Sequence, residues 1–88
     1  MPYFVAIMET IDPIKDAEIL ESHKAYLAEQ ITLGTIFAKG PFTDHSGGLI
    51  ILKTESLLIA QAIMDRDPVA VNHTRQITLK EWKSTLPE

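Results

Sequence analysis

Residues 12–34, Asp-Pro-Ile-Lys-Asp-Ala-Glu-Ile-Leu-Glu-Ser-His-Lys-Ala-Tyr-Leu-Ala-Glu-Gln-Ile-Thr-Leu-Gly, decide how the rest of the chain is read. Asp12 is a side chain that accepts from the unpaired N–H groups of a first helical turn, and Pro13 fits the first helical position because its missing N–H is not needed there. Gly34 is the residue type that takes the left-handed conformation just past a helix end. Between these limits the spacing predicts one long helix, Pro13 to Leu33. At about 100° per residue, Ala17, Leu20, Leu27 and Ile31 fall within one sector, and Glu18, Glu21, Ser22 and Glu29 fall opposite. His23 lies at the edge of the apolar sector, beside Ile19 and Tyr26, which predicts an imidazole half out of water. An acid or base with a tuned proton affinity belongs in such a place; a packing residue with one hydrogen bond fits there too. Either way, an edge position predicts that truncating His23 leaves a small, partly wet gap, whereas truncating Leu27 opens the core.

Outward from this helix the chain falls into short apolar runs. Tyr3 to Met8 reads as a central strand, and Leu49 to Leu52 as another; neither alternates with polar residues, so both read as buried on two faces. Thr35 to Lys39 is a looser extended segment. Gly40, Pro41 and Thr43 to Gly48 have the composition of a hairpin loop. Ser56 caps a second helix, Leu57 to Asp65, which Asp67-Pro68 stops because proline pushes its predecessor toward extended geometry. The last extended segment is placed around Thr74 to Leu79.

The order strand, helix, strand, strand, helix, strand predicts an α+β, ferredoxin-like βαββαβ fold. Its four-stranded antiparallel sheet carries two helices on one face. The uncovered face of so apolar a sheet calls for a second copy packed sheet on sheet, a dimeric α/β-barrel-type assembly. The second helix is apolar nearly all the way round, so Leu58 or Ile59 is available for a further contact that would extend the homodimer to a higher oligomer.

Composition narrows the function. The 88 residues read as a single domain over 1–88, too small to bury a large core without help from an oligomer. Cysteine is absent, so the help is not a disulfide or a thiolate metal site. The net charge of −4 with no Lys/Arg cluster argues against nucleic acid and anionic membranes as partners. The apolar start, Met1 to Met8, lacks a basic flank and the length of a signal or a span, which predicts a cytoplasmic location. His45 and His73 do not stand at metal-site spacing from His23, so no metal is expected. No phosphate loop or nucleophile elbow is present, and no organic cofactor is expected. What remains is His23 with a carboxylate to fix its tautomer; Asp67 and Asp44 are the candidates, each with a plain alternative as a turn residue.

The series His23, Gly34, Gly40-Pro41 with Asp44, Gly47-Gly48, Glu55-Ser56, Asp67-Pro68 and an extended run ending near Trp82 resembles the YciI-like (YCII-related) family of small dimeric proteins over nearly the whole chain. The resemblance implies a dimeric ferredoxin-like fold and an active site centred on a His/Asp pair, in a pocket between helices and sheet. It matches His23 to the family's histidine and Asp67 to its aspartate. It also implies that Asp44, Gly40 and Pro41 line the substrate pocket. Leu57-Leu58-Ile59 and Asn72 depart from the family pattern, where acidic residues and a glycine are common. Most members have no assigned activity; a few act on ring-derived, chlorinated or lactone-like substrates.

Two functions follow. One is an enzyme in which His23, oriented by Asp67, moves a proton on a small cyclic substrate in an isomerisation or elimination, with Lys39 near the pocket mouth. The other is a non-catalytic dimeric module that binds a small ligand or another domain, where His23 only hydrogen-bonds.

Overall fold

Asp12 starts the first helix as its chemistry dictates: in the computed structural model, which describes residues 1–87, its carboxylate accepts the Lys15 N–H at 3.1 Å, with Pro13 opening the helix. Gly34 ends the helical region with φ of 83°, the left-handed value expected of it. The stretch between is two helices, not one. Ile19, at φ −104° and ψ 9°, separates α1 (Pro13–Glu18) from α2 (Leu20–Leu33).

That interruption re-aims the side chains. Ala17 is exposed and Asp16 is buried in its place. Along α2, Leu27 is buried as expected, but Ile31 is 46% exposed. Gln30 faces inward beside it, its Oε1 accepting the Thr35 hydroxyl at 2.6 Å. The helical wheel assumed one continuous helix; the break at Ile19 frees α1, and Ala17 with it, from the register of α2.

The strands are β1 (Tyr3–Thr10), β2 (Ile36–Pro41), β3 (Gly47–Lys53) and β4 (Arg75–Trp82); each runs past its expected C-terminal end, and β2 and β4 start one residue later than expected. They form one antiparallel sheet in the order β2-β3-β1-β4, with β1 and β3 central. Between them run α3 (Leu57–Asp65) and the short α4 (Pro68–Val71). Ser56 caps α3 by accepting the Ile59 N–H at 3.2 Å. Asp67-Pro68 stops α3 as expected but also starts α4, so each predicted helix is a pair.

Phe4, Ala6 and Met8 of β1 share a face with Ile50 and Leu52 of β3 and with Ile77 and Leu79 of β4. Leu27, Ala60, Ile63, Met64 and Val69 from the helices cover that face and complete the core. The other face carries Val5, Ile7, Leu49, Ile51 and Trp82, none of them fully buried. The two central strands are therefore buried on one side only within the chain. Tyr3 is an exception on that face: Phe37 meets it edge-on at 5.4 Å, Lys53 Nζ lies 5.5 Å from its centroid, and its hydroxyl donates to the Pro87 carbonyl.

Candidate active site

The α3–α4 joint turns Asp67 inward. Its φ and ψ of −63° and 133° are extended, as a residue before proline prefers, and Pro68 fixes the first position of α4. The carboxylate then caps α4, Oδ1 accepting the Val69 N–H at 3.1 Å. The same oxygen lies 2.7 Å from His23 Nδ1. Asp67 is 0% exposed and His23 is 5% exposed. His23 is thus in the interior, not half wet as its edge position predicted, because α3 and α4 close over that side of α2. Truncating it would strand a buried carboxylate rather than leave a wet gap.

A carboxylate oxygen that already takes one N–H is an acceptor toward the ring as well, so the proton between them sits on Nδ1. Nε2 is the ring nitrogen left for a ligand. Asp67 Oδ2 is the one side-chain polar atom that is buried without a partner among the described residues. An orphaned oxygen of this kind weakens the fold and points to a requirement other than stability.

One residue type further along the same helix face locks the alignment. The Tyr26 hydroxyl donates to the Ile63 carbonyl at 2.5 Å, tying α2 to α3 three residues after His23 and four before Asp67. Burial raises the Tyr26 hydroxyl above its ordinary pKa, with Arg66 opposing, so it stays a donor at neutral pH.

In front of His23 lies a pocket of about 130 Å³ between α2 and the β2–β3 end of the sheet. Met8, Leu27 and Ile50 give it an apolar floor; Gly40, Pro41, Gly47 and Gly48 form the hairpin wall. The wall lies close because Gly47 has no side chain: a Cβ there would sit 1.8 Å from the Met8 carbonyl oxygen. Lys24, Lys39 and Arg75 also line it. Gly40 and Pro41 therefore line the pocket, as does Lys39. Asp44 does not. It is exposed at the hairpin tip, where its carboxylate accepts the Ser46 N–H at 3.0 Å and hydroxyl at 2.6 Å. Those bonds from Ser46 hold its carboxyl below the usual range. Asp44 is a turn residue, and Asp67 partners His23. His45 and His73 are exposed, at φ of 64° and 55°, in loops away from this pair.

Asp16, Thr74 and Arg75 were not singled out by the sequence. Asp16 receives Arg75 side-on, Nε and Nη2 each at 2.9 Å, and the Thr74 hydroxyl at 2.8 Å. The only signal was position: Asp16 stands seven residues before His23, a spacing that would share a face in one unbroken helix. Its partners lie at the far end of the chain, where local patterning carries no hint of them.

A ferredoxin-like α+β protein with a buried His–Asp pair beside a small pocket is the class that fold and geometry define. Residues 1–83 match the YCII-related domain, and the chain belongs to that family. An uncharacterized Bacillus subtilis (strain 168) protein, YjpA, is 39% identical over 44 residues, 50% of this chain and 52% of that one. The match thus spans about half the length of this relative. Among solved structures, 5-chloro-2-hydroxyhydroquinone dehydrochlorinase (TftG) from Burkholderia phenoliruptrix AC1100, in complex with 2,5-dihydroxybenzoquinone, is similar in fold. Its TM-score is 0.76 at 19% identity, over 92% of this chain and 93% of that chain. No helix among the described residues is long and apolar enough to cross a membrane.

The Asp16 cluster makes stability depend on pH in a defined direction. Burial pushes the Asp16 carboxyl up, but hydrogen bonds from Arg75 and Thr74 and the Arg75 charge outweigh it, leaving it below the ordinary 3.8. A lowered carboxylate contributes stability that is fully present above its unfolded value and is lost as pH falls through its folded value. Asp16→Asn should cost about 1–3 kcal/mol at pH 7. Urea titrations at several pH values should show the gap from wild type constant above about pH 5 and closing progressively below it. A gap that is the same at pH 2 and pH 7 would show that the charge contributes nothing.

Proposed function

We propose that this protein is a cofactor-free enzyme in which His23 transfers a proton on a small, ring-derived, oxygen-bearing substrate, leading to isomerisation or elimination. The observation that carries this reading is the 2.7 Å bond from His23 Nδ1 to a wholly buried Asp67, in a histidine that also lines the pocket. Asp67 holds the ring in one tautomer and orientation, so that Nε2 meets the substrate as a base. The abstracted proton resides on Nε2 and the resulting imidazolium is stabilised by the carboxylate behind it. In an isomerisation, His23 returns the proton to a neighbouring atom. In an elimination, the electron pair released from the C–H bond expels a leaving group such as halide. The fold likeness to a dehydrochlorinase solved with a dihydroxybenzoquinone supports the choice of substrate class.

One positioned acid–base group is worth about 10²- to 10⁴-fold in rate, enough for an activated cyclic ketone or chlorinated hydroquinone. The test is a panel of such compounds, 5-chloro-2-hydroxyhydroquinone and small lactones included, followed by chloride release and by deuterium uptake from solvent at the carbon next to the carbonyl. His23→Gln, which keeps a donor for Asp67, should lose activity by about 10²- to 10⁴-fold and keep its fold. Binding without turnover in the wild type would leave the module reading in place of the enzyme.

The same reading includes a homodimer built on the uncovered sheet face. Val5, Ile7, Leu49 and Ile51 form a contiguous apolar surface there, and a matching copy packed face to face is the simplest cover. Sedimentation at micromolar concentration should give twice the chain mass for the wild type. It should give the chain mass for Ile51→Glu, which places a charge at the centre of that face. A wild-type species of single chain mass contradicts the dimer.

A further inference from the structure

The pocket has a charge pattern that proton transfer by His23 does not use. Lys24, Lys39 and Arg75 line it together with His23, and no carboxylate does, in a chain whose net charge is −4. The two lysines are exposed and therefore well hydrated. Arg75 is different. Its side chain is 11% exposed, and Asp16 grips the Nε–Nη2 edge through two bonds of 2.9 Å. A guanidinium held side-on cannot swing, and its remaining edge is already oriented. Nη1 has no acceptor among the described residues. Since Arg75 lines the pocket, that free edge is what the side chain has left for a ligand.

We propose that Arg75, pinned by Asp16, binds a delocalised oxyanion on the small planar molecule that occupies this pocket, either a carboxylate or a deprotonated hydroxyl conjugated to a carbonyl. The apolar floor of Met8, Leu27 and Ile50 suits a ring, and the pocket's size suits a single one. The fork of two N–H groups matches the paired or delocalised oxygens of either anion. Asp16 offsets part of the guanidinium charge, so Arg75 acts as a fixed directional donor, while Lys24 and Lys39 raise the local concentration of anions at the mouth.

This assignment rests on the acid–base reading only for the role of the anion in turnover. There, a C–H bond next to a carbonyl breaks, its proton goes to His23 Nε2, and the electron pair moves onto the carbonyl oxygen as an enolate. Arg75 would hold that oxygen more tightly in the enolate than in the ketone, which lowers the barrier rather than merely binding substrate. Anion binding itself needs no proton transfer.

Calorimetric titration separates the possibilities with four probes: benzoate and its neutral counterpart benzamide, and the tropolone anion and its neutral counterpart 2-methoxytropone. Wild-type protein should bind at least one anion at least about tenfold more tightly than its neutral counterpart, and which anion wins identifies the source of the oxyanion. Arg75→Gln should weaken that anion about ten- to a hundredfold and leave the neutral compound unchanged. Arg75→Lys, which preserves the charge beside Asp16 and so guards against a folding failure, should fall between them because the fork is lost. Asp44→Asn, at the exposed hairpin tip outside the pocket, should keep the anion affinity within about threefold, the ordinary scatter of a distant change. Equal binding of anions and neutral compounds, no binding of either, or an Arg75→Gln protein that binds the anion as the wild type does overturns the proposal. Anion binding with no turnover on any substrate removes the proton-transfer reading and leaves Arg75 standing; turnover without anion preference does the reverse.

Discussion

Everything distinctive about this small protein is arranged around one buried hydrogen bond, His23 Nδ1 to Asp67 Oδ1 at 2.7 Å. A carboxylate with no exposure carries a heavy desolvation cost, and the bond to His23 and the Val69 N–H offset it only in part, since Oδ2 is left without a partner. A wholly apolar contact would hold α2 to the α3–α4 joint at least as well. The chain instead devotes the sharp turn at Asp67-Pro68, a separate short helix and the Tyr26–Ile63 cross-link to aligning the two groups. Such an expense of stability is characteristic of sites that perform chemistry.

Asp67 meets His23 at Nδ1, and the same histidine lines the pocket. The carboxylate is a fixed acceptor that sets which nitrogen carries the proton. The pocket itself combines an apolar floor, cationic side chains and a hairpin wall whose glycines allow close approach. A second buried contact, Asp16 with Arg75, repeats the principle at another lining residue: one buried carboxylate per positioned cationic or protonatable group. Each acidic partner comes from a helix terminus or helix turn, and each is cross-linked to a segment distant in sequence, so the site forms only with the complete fold.

Much of the framework was legible in residue chemistry. Asp12, Pro13, Gly34, Ser56 and Pro68 act through local backbone preferences, and the ends of the helices fall where those preferences put them. The succession of strands and helices along the chain also followed from the apolar runs. What local patterning could not supply was the break at Ile19, where nothing in the side chain forbids a helix. Before that break Ala17 is exposed and Asp16 turns inward, and beyond it α3 and α4 close over His23, which a helical wheel does not show. His23 and Asp67 were legible as types; their meeting over 44 residues of sequence separation was implied only by family resemblance. Asp44 misled because an aspartate near a Gly-Pro pair reads the same whether it faces a pocket or closes a turn, and Ser46 decides for the turn. Arg75 lay in a strand whose alternation says which face a side chain takes but not which acid it meets.

With Asp67 as acceptor, His23 carries its proton on Nδ1 and keeps Nε2 for a ligand. Nitrogen-resolved NMR of the neutral imidazole tests it most directly, because an unconstrained histidine in water favours the opposite tautomer, with the proton on Nε2. Neutral His23 in the wild type should be protonated at Nδ1, and Asp67→Leu, which removes the acceptor, should return the ring to the Nε2–H form. A neutral His23 protonated at Nε2 in the wild-type protein would contradict it.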